Sequence, residues 1–218
     1  MCGRFTLHTP FDQLAKRFKV KIPSNFEPSY NIAPGDRVLA IAINQPLKMQ
    51  FFKWGLAPFW AKQGRIRDNL INARSETVEQ KPVFVKTHRC LIPADGFFEW
   101  DKKQKPSQPY YIRLKNKLAF CFAALSQKSQ ESGVSQRNFA ILTTESNQML
   151  KKIHPRMPVI LTGQYQDYWL DPKKSISDLK TILKPYSAQK MECYPVTSKM
   201  NHPGFDEPAA VERLGWQL

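Results

Sequence analysis

Cys90 to Trp100 reads CLIPADGFFEW, a long β-like run of aliphatic and aromatic residues, and its neighbours repeat that character. Downstream lie Tyr110–Leu114 (YYIRL), Leu118–Leu125 (LAFCFAAL) and Phe139–Thr143 (FAILT). Upstream lie Arg37–Ile43 (RVLAIAI) and Met49–Trp54 (MQFFKW). Several of these runs are separated by short, turn-like links, the spacing of consecutive strands that pair with each other. Lys102–Gln108 and Gln127–Gln136 read as exposed loops between them, and Met191–Val196 as a last strand. A first helix is expected after Thr9 as N-cap and Pro10 as first helical residue, with Phe11, Leu14, Ala15 and Phe18 forming an apolar stripe. Helical patterns return at Glu145–Ile153, Gln164–Leu170 and from Ser175 or Ser177 through Leu183. Strands joined by short links, with helices grouped around them, predict an α+β fold in one domain spanning residues 2–218. Its core would be a curved, mostly antiparallel, barrel-like sheet flanked by short helices, in place of alternating βαβ units.

The chain has 218 residues, enough to bury a substantial core, and 33 Lys and Arg against 18 Asp and Glu give a net charge of +15. That excess favours a polyanionic partner, nucleic acid or an anionic membrane surface. No window is apolar enough to span a bilayer, and MCGRFTLHTP lacks the pattern of a secretory signal, so a cytoplasmic protein without a membrane partner is expected. Cys2, Cys90, Cys121 and Cys193 form no CxxC pair and no zinc-type cluster. Neither a metal nor a cofactor is expected. Cys90 and Cys121, set in apolar runs, read as core residues.

Cys2 is followed by small Gly3, the kind of start from which an initiator Met is excised. Removal of Met1 would leave an amine and a thiol on one residue. Such an aminothiol attacks an aldehyde through nitrogen to give an imine, and sulfur then closes a five-membered thiazolidine. The amine, with an ordinary pKa of about 7.7–8.0, is partly neutral near pH 7. Position alone favours the plainer reading, an incidental residue on a frayed terminus.

Three later segments each set one polar residue among apolar or rigid neighbours: Asn72 in LINARSET, Glu99 in DGFFEW and His154 in KIHPRMP. A carboxyl group between Phe98 and Trp100 suits a general acid if desolvated, whereas strand alternation could equally turn it to water. His154 could serve as base or simply face a helix end, and Asn72 could orient a reacting carbonyl or cap a turn. Arg4, Arg74 and Arg156 could hold phosphates while Phe59 and Trp60 stack on unpaired bases. Core packing explains an aromatic pair beside Pro58 as well.

Taken together, MCGRF, YNIAPG, WGLAPFW, INARSET, CLIPADGFFEW, ILTTESN, IHPRMPVIL and YPVTSKMN resemble the SOS-response-associated peptidase (SRAP) family, whose members shield abasic sites, in family order from residue 2 to about residue 201. The resemblance implies that Cys2 forms the thiazolidine with the opened deoxyribose. Glu99 would assist ring opening and imine formation, His154 the acid–base steps including reversal, and Asn72 the placement of cysteine and sugar. It implies Arg4, Arg74 and Arg156 at phosphates, Pro34 beside the bound strand, and Phe59 with Trp60 as a stacking wedge, with Phe where a second Trp can occur. The implied partner is single-stranded DNA carrying an abasic site, at single-strand/duplex junctions among other places, bound by a monomer that associates with the nucleoid. Two other readings stay open. One is an N-terminal cysteine peptidase, amidohydrolase or autoprotease; the other is a binder of single strands by charge and stacking alone.

Overall fold

A computed structural model of the chain describes residues 2–56, 70–131 and 134–215. In chain order the strands are β1 (Arg4–Leu7), β2 (Ser29–Ile32), β3 (Arg37–Ala42), β4 (Met49–Trp54), β5 (Asn72–Arg74), β6 (His88–Ala94), β7 (Gly96–Asp101), β8 (Gln108–Leu114), β9 (Phe120–Glu131), β10 (Val134–Glu145), β11 (Arg156–Pro158), β12 (Ile160–Leu161) and β13 (Met191–Pro195). Helix α1 (Phe11–Phe18) follows β1, and α2 (Gln164–Leu170) follows β12.

Five strands close on themselves in the order β10-β4-β3-β6-β9, because β10 pairs with both β4 and β9. An odd ring cannot alternate direction all the way round, so one seam must be parallel. That seam is β4–β10, and the other four pairs are antiparallel. Closure also removes the exposed edges an open sheet would present. Short β11, β5 and β12 add to the outside of this ring, β5 parallel to β10. The second sheet, β13-β8-β7-β1-β2, is antiparallel throughout.

The second sheet lies against the barrel on one face. Phe5 of β1 meets Trp54 of β4 edge-on at 5.1 Å and Phe122 of β9 at 5.6 Å. On its other face Phe98, Tyr111 and Tyr194 form a separate cluster with Val196, Met200 and Ala210 from the C-terminal segment. Being covered on both faces explains why β7 is apolar at consecutive positions. Phe97 enters the main core and Phe98 the smaller one.

Cys90–Trp100, expected as one run, is two strands in two sheets, divided at Asp95. The Asp95 N–H donates to the Thr6 carbonyl at 2.8 Å, and its carboxylate accepts the Thr9 N–H at 2.8 Å. The chain thus turns out of the barrel and becomes β7 beside β1. Thr9, which also gives its hydroxyl to Asp95, does not cap α1; Pro10 occupies the cap position, and only Leu14 of the predicted stripe is fully buried. Gly96 follows at once, and a Cβ there would overlap the Tyr111 ring and approach the Ile112 carbonyl oxygen to 2.7 Å. We expect Gly96→Ala to destabilise by about 1–3 kcal/mol or more through overpacking, read as a lowered urea midpoint at unchanged slope.

Three other expectations are corrected. Glu145–Ile153 is no helix: β10 runs through Glu145, and only a 3₁₀ turn forms at Leu150–Lys152. Asn147 diverts the chain, accepting the Leu150 N–H at 3.1 Å and donating to the Tyr186 carbonyl at 2.8 Å. The segment after Ser175 is 3₁₀ over Ser177–Ile182, tightened by Ser175 and Asp178 bonding each other's backbone and side chain. Gln127–Gln136 belongs mostly to the long β9–β10 ladder, whose backbone bonds are made regardless of side-chain polarity.

Candidate active site

β1 is an interior strand of its sheet, between β7 and the edge strand β2. Its register sets Arg4 opposite Phe98 and Phe5 opposite Phe97, which carries Cys2 toward the Glu99 end of β7. Alternation from Phe97 turns Glu99 to the barrel side, so the outward alternative fails. Glu99 is 2% exposed and Cys2 fully buried.

Burial pushes the Glu99 carboxyl above the usual range, with the positive charge of the chain terminus and of His154 working in the opposite direction. The Cys2 thiol is pushed up as well, by burial first and by the negative charge of Glu99 second. Its Sγ faces the Arg4 carbonyl at 3.7 Å. The thiol therefore stays protonated at neutral pH. Cys90 is also buried, its thiol pushed up to about 12, which fits the core role expected of it.

Asn72 opens β5, placed by parallel pairing with Ile141 of β10. Its Nδ2 donates to the Cys2 carbonyl at 2.9 Å, while its Oδ1 is buried without a hydrogen-bond partner among the described residues. Arg4 Nε is in the same condition among the described residues, while Arg4 Nη1 donates to the Gly3 carbonyl at 3.1 Å. Unmet buried polar atoms cost about 1–3 kcal/mol each, and a catalytic role is one of the few explanations for keeping them.

His154 follows the 3₁₀ turn, its N–H donating to the Leu150 carbonyl at 2.9 Å. The Arg156 N–H lies 3.0 Å from His154 Nδ1 and the Arg156 carbonyl oxygen 3.1 Å from the same atom, so the Arg156 backbone holds the ring at Nδ1 whichever nitrogen carries the proton. Arg156 itself is engaged: Nη1 and Nη2 donate to Glu76 at 2.7 and 2.9 Å, and Nη2 to the Thr143 carbonyl at 2.6 Å. Arg74 is exposed on β5 beside them.

Pro34 stands exposed at the tip of the β2–β3 turn. Gly35 there has φ +101°, and the Asp36 N–H closes the turn on the Ala33 carbonyl at 3.1 Å; a positive φ at this place favours glycine. The charge of Asp36 reaches Arg4, which puts the turn on the Arg4 side of the site. Phe59 and Trp60 lie outside the described residues. Contacts and charge thus link Cys2, Asn72, Glu99 and His154, with Arg4 adjoining. Glu76 and Thr143 were missed by the sequence reading; the only signal for Glu76 was an acid two places after Arg74 in a basic chain.

A family model described as SOS response associated peptidase (SRAP) matches residues 1–203. The abasic site processing protein YoaM of Bacillus subtilis is 43% identical over 214 residues, covering 93% of this chain and 94% of that protein. The abasic site processing protein YedK of Escherichia coli is 33% identical over 180 residues, 78% of this chain and 79% of that one. Among solved structures, the crystal structure of a protein from Bacteroides thetaiotaomicron superposes with a TM-score of 0.87 at 27% identity, over 98% of this chain and 100% of that one. With its sequence motifs, its fold and its relatives in agreement, the chain belongs to the SRAP family.

Proposed function

We propose that this protein processes abasic sites in single-stranded DNA by capturing them covalently on Cys2 after Met1 has been removed. The relatives named abasic site processing proteins support the substrate. The observation that carries the chemistry is the 2.9 Å bond from Asn72 to the Cys2 carbonyl, which fixes the residue whose thiol feels the Glu99 charge.

The steps balance without a cofactor. Glu99, whose carboxyl burial holds above the usual range, gives a proton to the sugar ring oxygen as its bond to C1 breaks, and the C1 hydroxyl gives up its own proton to His154, leaving the aldehyde. The Cys2 amine adds to the aldehyde carbon, and water leaves as the imine forms. Sulfur then adds to the imine carbon, its proton passing to nitrogen through His154 or Glu99, and the thiazolidine is closed. Asn72 holds the Cys2 backbone during both additions. Arg4, Arg74 and Arg156 supply positive charge for flanking phosphates, the Pro34 turn borders the strand, and Phe59 with Trp60 form the wedge at a duplex junction. The protein acts as a monomer in the cytoplasm, on the nucleoid.

Amide hydrolysis would begin with attack by a thiolate, whereas the capture route begins at nitrogen and leaves the buried thiol its proton until ring closure. The test is to incubate Met-processed protein, verified by intact mass, with a single strand carrying one abasic site. A heat-stable shifted band on a denaturing gel, mapped to Cys2, is the expected result. Absence of a band from fully processed protein overturns the reading, and equal affinity for intact and abasic strands would favour plain single-strand binding.

A further inference from the structure

We propose that Glu76 is a positioning residue of this site, holding Asn72 and His154 at their working separation by clamping Arg156; this rests on the covalent-capture reading above. The geometry begins with Thr143 in β10. It pairs with Arg74 of β5 on one side and with Pro158 of β11 on the other. The strand carrying Asn72 and the segment carrying His154 therefore lie on opposite flanks of β10. Both β5 and β11 have three residues, so few ladder bonds fix either one.

Glu76 joins the two flanks across the end of β10. Its carboxylate takes Arg156 Nη1 at 2.7 Å and Nη2 at 2.9 Å, a fork-to-fork pair that fixes orientation as well as distance. Thr143 seals the crossing. Its carbonyl accepts from the Ser75 N–H at 2.9 Å and from Arg156 Nη2, and its hydroxyl donates to the Ala73 carbonyl at 3.3 Å. The Arg156 backbone N–H, in turn, holds His154 Nδ1. One residue thus touches the ring through its backbone and, through its side chain, the segment that follows the Asn72 strand. The Arg156 side chain is 15% exposed against 44% for Glu76, so the guanidinium is largely enclosed and its orientation depends on this partner. The hydrogen bonds from Arg156 hold the Glu76 carboxyl below its usual range, which keeps the clamp ionised at neutral pH.

The experiment compares Glu76→Ala and Glu76→Gln with wild type in single-turnover capture, in affinity for an intact strand, and in the ring ¹⁵N signals of His154 without DNA. Misplacement by about 1 Å can cost about 10²-fold. Glu76→Ala is expected to slow capture by roughly 10- to 100-fold, with Glu76→Gln in between. Intact-strand affinity should hold or rise, because a negative charge is lost from a basic protein. The ring ¹⁵N signals of His154 should move away from their wild-type positions. Capture at the wild-type rate overturns the proposal, as does an unchanged ring spectrum. Affinity falling in step with capture also overturns it, by assigning Glu76 to DNA binding. If wild type forms no adduct, the covalent reading fails, and the ring spectrum still decides the role of Glu76. Should Glu76→Ala not fold, Glu76→Gln takes its place with the same outcomes.

Discussion

Cys2→Ala should abolish the heat-stable adduct with abasic single strands completely, leaving no more product than a strand without the lesion. The physical reason is that a stable ring needs nitrogen and sulfur on one residue, and alanine keeps only the amine. Cys2→Ser separates the two halves of the reaction. It retains the amine and should still form an imine, trapped by borohydride reduction, but its hydroxyl closes a weaker ring. Strand cleavage from the imine should then replace persistent capture. Protein that retains Met1 should behave like the alanine variant, because its Cys2 nitrogen is an amide. Melting curves control for damage to the core, since Cys2 is fully buried. An adduct of wild-type yield from Cys2→Ala would remove the chemistry proposed above.

The second large effect is at Glu99, where activity and stability should move in opposite directions. Its carboxyl titrates above the ordinary value because burial disfavours the charge. Between the unfolded value of about 4.3 and the raised folded one, the native chain binds the additional proton, so stability falls as pH rises through that window. Glutamine is neutral throughout. Glu99→Gln should therefore melt above wild type at pH 7 to 8 and match it near pH 4. Having no proton to give, it should capture abasic strands about 10²–10⁴-fold more slowly. A variant that is no more stable at pH 8 than at pH 4, relative to wild type, would show that the carboxyl is not held neutral by its surroundings.

Strand existence was well written in the sequence, since runs such as RVLAIAI and MQFFKW declare themselves by β-branched and aromatic content. What could not be read there was which sheet each strand joins. Asp95 looks like one polar residue inside an apolar run, and only its contacts with Thr6 and Thr9 show that the chain changes sheets at that point. The same fold-level fact decides Glu99: alternation alone allowed either face, and burial of β7 on both sides settled it. Helical expectation failed at Glu145–Ile153 because Asn147 offers the backbone better partners than a helix would. Among site residues, chemistry-bearing types in apolar settings were visible. The ion pair occupying Arg156 was not, because Glu76 and Arg156 are separated by 80 positions, and pattern carries no information across such a distance.

The interior place of β1 has a consequence for biosynthesis. Arg4–Leu7 needs β2 on one side and Gly96–Phe98 on the other before it is enclosed. A ribosome adding about 5–20 residues per second needs roughly 5–20 s to make that second neighbour, and the exit tunnel delays it further. Throughout that interval the head of the nascent chain stays uncovered, the window in which the removal of Met1 proposed above would take place. Under that proposal, readying Cys2 is a race run during translation, ahead of the strand that ends it.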